Sequence, residues 1–476
     1  MQFNSIEFTV FFITFFILYW TVARKDLRAQ NLLLLISSYV FYAWWDYRFL
    51  FLLIFSTFLD YITGEKIHTS PNRRKMWLLI SVITNLGFLG FFKYYNFFIG
   101  SFADLLNSVG FQPNLWTLSI ILPVGISFYT FHGLSYVFDI YNRKIEPTQN
   151  FVDYAVFVSF FPLLVAGPIE RATHLLPQIK VPRVFDYTKA IDGLRQILWG
   201  LVKKVVIADN CATYANRIFS NYEMYDGSTL ALGAVFFAFQ IYGDFSGYSD
   251  IALGAARLLG FDLIRNFAFP YFSRDIAEFW RRWHISLTCW FRDYVYVPLG
   301  GSKGKLSKTI RNIFIIFLLS GFWHGANWTF LVWGLLNAIY FIPLLVLGIN
   351  RQNLDVAAPN QLLPSLKEAF QIATTFSLTT IAWIFFRADT VQIGWNYLCG
   401  IFSVSLFSVP EIFPKKLIFV LILFYLIEWI QRDKQHALQF EPGKVPKLVR
   451  WVFYYCMIAL VFLFAGEQQI FIYFQF

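Results

Sequence analysis

The chain has 476 residues, of which 57% are hydrophobic, 21% aromatic and only 14% charged, against roughly a quarter charged in soluble domains. A water-soluble core cannot absorb that much apolar surface, so the composition excludes a soluble globular protein. The formal net charge of +10 does not indicate nucleic acid either, because the Lys and Arg residues fall in short segments between apolar runs, as cytoplasmic membrane loops do.

The opening stretch, MQFNSIEFTVFFITFFILYWTVARKD, carries no basic segment ahead of its apolar run and no small-x-small cleavage site, and it reads as a retained first helix. Predicted spans follow over residues 6–23, 31–45 and 49–62, long enough to approach the roughly 17 residues that cross a bilayer. Arg24, Lys25 and Arg28 follow the first, and Lys66, Arg73, Arg74 and Lys75 the third. Two crossings separate these basic loops, so both face the cytoplasm and the N-terminus lies outside.

Further apolar runs lie at 76–92, 115–138, 154–166, 230–242, 313–322, 328–347, 370–386, 417–430 and 451–464, with an amphipathic stretch at 193–207. The expected fold is therefore all-α: one polytopic membrane domain over residues 1–476 with about eleven crossings. Residues 167–189 and 243–308 mix polar and apolar side chains too closely for simple spans. Irregular backbone at membrane depth survives only inside protein or against a wet cavity, so these segments predict re-entrant or interfacial pieces around a site. Residues 348–367 and 434–447 read as plain surface loops. Cys211, Cys289, Cys399 and Cys456 are widely separated, which indicates neither a disulfide framework nor a metal site.

Three stretches carry candidate chemistry. In DIAEFWRRWHISLTCWFRDYVYVPLG, residues 275–300, Trp280, Trp283, Leu287, Trp290 and Phe291 recur at helical spacing, with Arg281, His284, Thr288 and Arg292 on another stripe. The same pattern suits an interfacial helix whose arginines meet lipid phosphates. In GFWHGANW, residues 321–328, His324 lies at or within the membrane boundary, and an intramembrane ionisable group is a functional candidate by default. Gly321 and Gly325 leave room beside it for a substrate or another backbone. An imidazole kept neutral by burial is a proton acceptor near neutral pH, the profile of a general base.

In YGDFSGYSD, residues 242–250, Asp244 and Asp250 flank a Gly- and Ser-rich turn after an apolar run. Arginine ion pairs holding a broken helix account for them, and with Asn327 they also join Arg281 and Arg292 as candidates for binding donor or substrate. His132, beyond Pro123 and Gly125, is expected to be packing, and Glu170 and Arg171 a structural turn. The run GGSKGKLSK lacks the glycine and hydroxyl positions of a phosphate loop, and neither GxSxG nor GxGxxG occurs.

Taken together, LPVGISFYTFHGLSYVFDIY, DFSGYSDIALGAARLLGF, FWRRWHISLTCWFRDYVYVPLGG and LLSGFWHGANWTFLVWG, in that order over residues 122–334, resemble the membrane-bound O-acyltransferase (MBOAT) family, in the bacterial branch of the alginate O-acetyltransferase membrane subunit. The resemblance implies a ring of transmembrane helices around a central tunnel open to both compartments. His324 matches the family's essential histidine and His284 its second signature position. It further implies transfer of an acetyl group from a cytosolic thioester, acetyl-CoA, to a hydroxyl of an exported polysaccharide such as alginate or of a cell-wall glycan. The implied setting is the bacterial inner membrane with an extracytoplasmic partner of the SGNH-esterase type and no bound cofactor. A secondary transporter or glycan-export component, and a scaffold for a polysaccharide synthase, are the alternatives the residues leave open.

Overall fold

A computed structural model of the protein describes residues 1–24, 26–111, 118, 120–440, 443, 445–466, 469 and 471–472. Lys25, the start of the predicted run at 115 and part of the 434–447 stretch lie outside them. Among the described residues the chain is helical and has no strand. Its internal contacts form two compact units, Met1–Phe185 with Leu259–Leu263 and Gly325–Asn327, and Asp186–Leu258 with Ile264–His324 and Trp328–Phe476.

The first unit contains α1 (Ile6–Thr21), α2 (Leu27–Ala43), α3 (Arg48–Thr69), α4 (Arg74–Leu89), α5 (Tyr95–Ser108), α6 (Ile126–Tyr141), α7 (Phe151–Ser159), α8 (Phe161–Leu164) and α9 (Ala172–Ile179). Ser5 and Asp26 accept the first amide protons of α1 and α2, as short polar side chains do at helix starts. The expected run at 154–166 is not a straight crossing, because an extended Phe160 followed by Pro162 divides it into α7 and α8. Gly125, at φ +75°, starts α6 with the Leu164 carbonyl where a Cβ would project, so both its angle and its contact require glycine. His132 is fully buried and accepts the Glu170 amide proton at 3.1 Å, the packing role expected of it.

The second unit contains α10 (Tyr187–Leu201), α11 (Asp209–Ser220), α12 (Gly227–Leu258), α13 (Ile276–Arg282), α14 (Ile285–Phe291), α15 (Leu306–His324), α16 (Trp328–Val346), α17 (Leu366–Arg387), α18 (Val391–Ile401), α19 (Lys415–Ile430) and α20 (Lys447–Leu463). A π-helical turn, Val202–Ala208, joins α10 to α11. Among the described residues, five stretches are long and apolar enough to cross a membrane: Pro71–Ser108, α12, α15, α16 and α17. The other predicted runs also form helices, but shorter or more polar ones.

Two further expectations fail here. The Gly- and Ser-rich segment at 243–250 is not a turn but the middle of the unbroken 32-residue α12. Its glycines serve helix contact. A Cβ on Gly200 would meet the Gly247 carbonyl oxygen at 2.6 Å, one on Gly247 would meet the Gly200 oxygen at 2.8 Å, and Gly193 and Gly254 repeat the exchange seven residues away. Small residues let two membrane helices touch backbone to backbone. The segment 348–367, expected as a plain surface loop, is instead clamped. Arg281 donates to the carbonyls of Asn350 and Asn353 at 3.0 and 2.8 Å, Arg274 and Arg282 to that of Asp355, and Arg432 to those of Ala357, Ala358 and Gln361. Ala357 and Ala358 are buried against Phe269, Phe272 and Trp429.

At the α15–α16 crossing, Gly321 faces the Phe330 carbonyl and Gly334 faces that of Phe317. Of the two roles expected for Gly321, close approach of another backbone is the one realised. Gly334→Leu should therefore push α16 off α15 and destabilise the protein by about 1–3 kcal/mol, measured as a lowered midpoint of thermal unfolding in detergent.

Candidate active site

His284 is held by a break in the chain. The helical spacing of 275–300 predicts one continuous amphipathic helix, whereas α13 ends at Arg282, Trp283 is extended, and His284 takes the left-handed conformation (φ 42°, ψ 54°) before α14 starts. Such a conformation is uncommon outside glycine and persists only where surrounding contacts enforce it. Those contacts come from Asn266. Its main-chain oxygen accepts the Ile285 amide at 2.9 Å, and its Oδ1 accepts the Ser286 amide at 3.3 Å and the Ser286 hydroxyl at 3.0 Å and lies 3.1 Å from His284 Nδ1. The first amide groups of a helix have no partner inside it, and Asn266 supplies one from another segment.

The break turns the segment inward. Trp283 and His284 are 0% and 1% exposed, and Trp280 and Trp290 are buried as well, so an interfacial helix lying in lipid headgroups is ruled out. The Trp283 ring packs on Trp383, Phe267 and Tyr242, and His284 meets Phe245 edge-on, centroids 4.7 Å apart.

His324 closes α15 and is also buried. Trp333 of α16, Phe386 of α17 and Trp323 surround it at centroid distances of 5.1, 5.4 and 5.0 Å. The two imidazoles stand 6.3 Å apart, inclined at 61°. Residues forty positions apart are thus brought to a separation at which both rings can contact one small reacting group. A neutral imidazole can accept a proton and return it.

A cavity of about 220 Å³ lies on the same stripe of α15. Ile313, Phe317 and Ser320 line it and precede His324 by eleven, seven and four residues, one helical face. Its inner wall includes Trp280, whose ring contacts Phe317 at 5.3 Å and Trp333 at 5.7 Å, and Trp333 in turn touches His324. One aromatic layer separates cavity from imidazole. Arg281, Arg292 and Arg351 also line the cavity.

Of the predicted binding residues, the structure places Arg281 and Arg292 at this cavity, Arg281 bracing the 350–353 carbonyls and Arg292 paired with Asp293 at 2.7 Å. Asp244 and Asp250 do not line it. Among the described residues their direct ion-pair partners are lysines of the π-helical turn, where arginines were expected. Lys203 bridges Asp250 at 3.0 Å and Glu428 at 3.2 Å, with Tyr242 donating to Glu428 at 2.8 Å and Gln196 to Asp250 at 2.8 Å. Lys204 bridges Asp209 and Asp244, both at 2.8 Å, and the Ile472 amide donates to Asp244 at 2.7 Å. Asn327 is half-buried and groups with the other unit.

Sequence reasoning missed Asn266, Arg351, Trp333 and both lysines. Only Lys203 and Lys204 left a signal, two adjacent cations inside the apolar run 201–208.

The family profile described as MBOAT, membrane-bound O-acyltransferase family, matches residues 126–352. The chain is 40% identical to a protein named probable alginate O-acetylase AlgI from Pseudomonas aeruginosa, over 94% of this chain and 84% of that one. It is 32% identical to a peptidoglycan O-acetyltransferase of Helicobacter pylori over 98% and 94% of the two chains. A teichoic acid D-alanyltransferase of Bacillus subtilis is 27% identical over 48% and 60%.

The buried charge cluster generates a prediction that does not depend on chemistry. Lys203→Met leaves Asp250 and Glu428 without their shared cation and should cost about 3–5 kcal/mol, seen as loss of folded protein or a lower unfolding midpoint in detergent.

Proposed function

This chain belongs to the membrane-bound O-acyltransferase family and is a membrane acyltransferase, and from that premise we propose that it moves an acetyl group from a cytosolic thioester, acetyl-CoA, onto a hydroxyl of an exported glycan. The observation that carries the proposal is the pair of buried imidazoles, His284 and His324, 6.3 Å apart, with His324 one aromatic layer from an arginine-lined cavity.

In the proposed reaction His324 takes the proton of the acceptor hydroxyl while its oxygen attacks the thioester carbonyl carbon. The C–O bond forms, the C–S bond breaks, and the leaving thiolate receives the proton back from the imidazolium, giving an acetyl ester and a free thiol. His284 orients a reactant or polarises the carbonyl. Arg281, Arg292 and Arg351 offer planar cations to the donor's phosphates. Lys303, Lys305, Lys308 and Arg311 cluster at the start of α15, near the Ser302 edge of the cavity, and Arg351 follows α16. By the positive-inside pattern that end is cytoplasmic, which suits a donor made in the cytosol.

The names of the relatives supply the acceptor class, a polysaccharide such as alginate or peptidoglycan. An extracytoplasmic partner of the SGNH-esterase type would help the acetyl group reach that glycan on the far side of the bacterial inner membrane, where the N-terminus also lies. One observation favours a transport function instead, since a broken helix bearing an ionisable group also marks transporter sites. Transport predicts substrate flux with no thioester consumed, and a scaffold would tolerate loss of both histidines.

Release of free thiol from acetyl-CoA, with membranes containing the chain and an acceptor glycan, separates the three. His324→Ala should keep the fold and reduce acetyl transfer by about 10²- to 10⁴-fold; retained transfer would remove His324 from the mechanism. Arg351→Ala should raise the KM for the donor roughly tenfold or more, the effect of one lost charge-assisted hydrogen bond, with kcat nearly unchanged in the same assay.

A further inference from the structure

Acyl transfer, as proposed above, leaves His284 two opposite roles. Polarising a carbonyl needs an N–H that donates from the ring, and orienting a hydroxyl or amide needs a ring nitrogen that accepts. A neutral imidazole has one nitrogen of each kind, and which is which is set by the bond the other nitrogen makes.

The contacts of Asn266 decide between them. The Ser286 main-chain N–H can only donate, and it points at the side-chain atom of Asn266 that also faces His284 Nδ1. That atom must therefore be the amide oxygen, because an NH₂ group there would set donor against donor. The Ser286 hydroxyl, 3.0 Å from the same oxygen, adds a second donor. An oxygen facing Nδ1 at 3.1 Å accepts from a protonated Nδ1. Asn266 is 1% exposed, so water does not compete for the oxygen. Among the described residues, all the partners found for the side chain lie on the His284–Ser286 turn, and its buried Nδ2 has none.

Resting on the acyl-transfer proposal, we infer that Asn266 is a positioning residue. Its Oδ1 holds His284 as the Nδ1–H tautomer, which makes Nε2 the accepting nitrogen. His284 then orients a reactant by taking a hydrogen bond from its O–H or N–H, and does not polarise the thioester carbonyl. The left-handed backbone at His284 belongs to the same device, since the amide of Ile285 and the amide and hydroxyl of Ser286 anchor the turn to the residue that anchors the ring.

The test uses the full chain in lipid nanodiscs with ¹⁵N-labelled histidine. The chain has six histidines, and the His284 signals are identified by their loss in His284→Gln. The wild-type spectrum should show a neutral His284 protonated at Nδ1, Asn266→Asp should keep the proton there, and Asn266→Leu should show mixed or Nε2-protonated ring. In acetyl transfer, Asn266→Leu should lower kcat by roughly 10- to 100-fold with the donor KM within about twofold. Asn266→Asp should restore most of the rate and move the acid limb of the pH profile to higher pH, because a carboxylate beside the ring favours imidazolium. A purely structural cap would leave that limb in place.

A wild-type His284 protonated at Nε2, or an Asn266→Leu protein with unchanged kcat and pH profile, overturns the inference. Should Asn266→Leu fail to fold, the wild-type spectrum and Asn266→Asp carry the test. Absence of transfer in the wild type would overturn the acyl-transfer proposal and the role of His284 in it, whereas the spectrum alone decides whether Asn266 sets the tautomer.

Discussion

A helix interrupted in an apolar interior must find partners for its exposed amide groups without help from water, and at His284 one asparagine supplies them. The break between α13 and α14 depends on it, and so do the inward turn of Trp283 and the aim of the imidazole. If α13 and α14 ran on as one helix, His284 would share a stripe with Arg281 and Thr288, and nothing would bring it to His324 at the end of α15. The candidate site is thus built from a local conformational cost and a tertiary contact that offsets it.

The same demand organises the rest of the second unit. Lys203 and Lys204 sit in a π-helical turn, where successive side chains are carried around the axis differently from an α-helix, and they separate their acids into two sets, Asp250 with Glu428 and Asp209 with Asp244. Four arginines play the corresponding part for the 350–361 carbonyls, a stretch with little regular structure of its own. Ion pairs of this kind do not by themselves add much stability relative to a well-packed apolar core, but losing one member is expensive. They therefore fix geometry more than they raise the unfolding free energy.

Much of this was legible beforehand. The apolar runs located α1, α2, α4, α16, α17, α19 and α20 within a few residues, because length and hydropathy are local properties, whereas α5, α11 and α18 carry no comparable run. The two histidines stood out for the same reason, as ionisable groups beside apolar runs. The break at His284 was not legible: Trp280, Trp283, Leu287 and Trp290 fit an unbroken helical repeat, no proline or glycine interrupts them, and the cause lies eighteen residues upstream at Asn266. Gly247 misled in the opposite direction, since a glycine that ends a helix and one that lets another helix approach look alike until the neighbour is known. Arg351 was passed over because the loop containing it has the composition of a solvated surface, although its carbonyls are spoken for by arginines from elsewhere in the chain.

The paired glycines of α10 and α12 also bear on mechanics. With Gly193 against Gly254 and Gly200 against Gly247, the two backbones are notched together at two points along their length. Sliding either helix by one residue, about 1.5 Å, would drive a side chain into a notch sized for a hydrogen atom. This pair therefore behaves as a keyed joint that resists axial slip, and whatever motion admits substrate has to be borne by other parts of the protein.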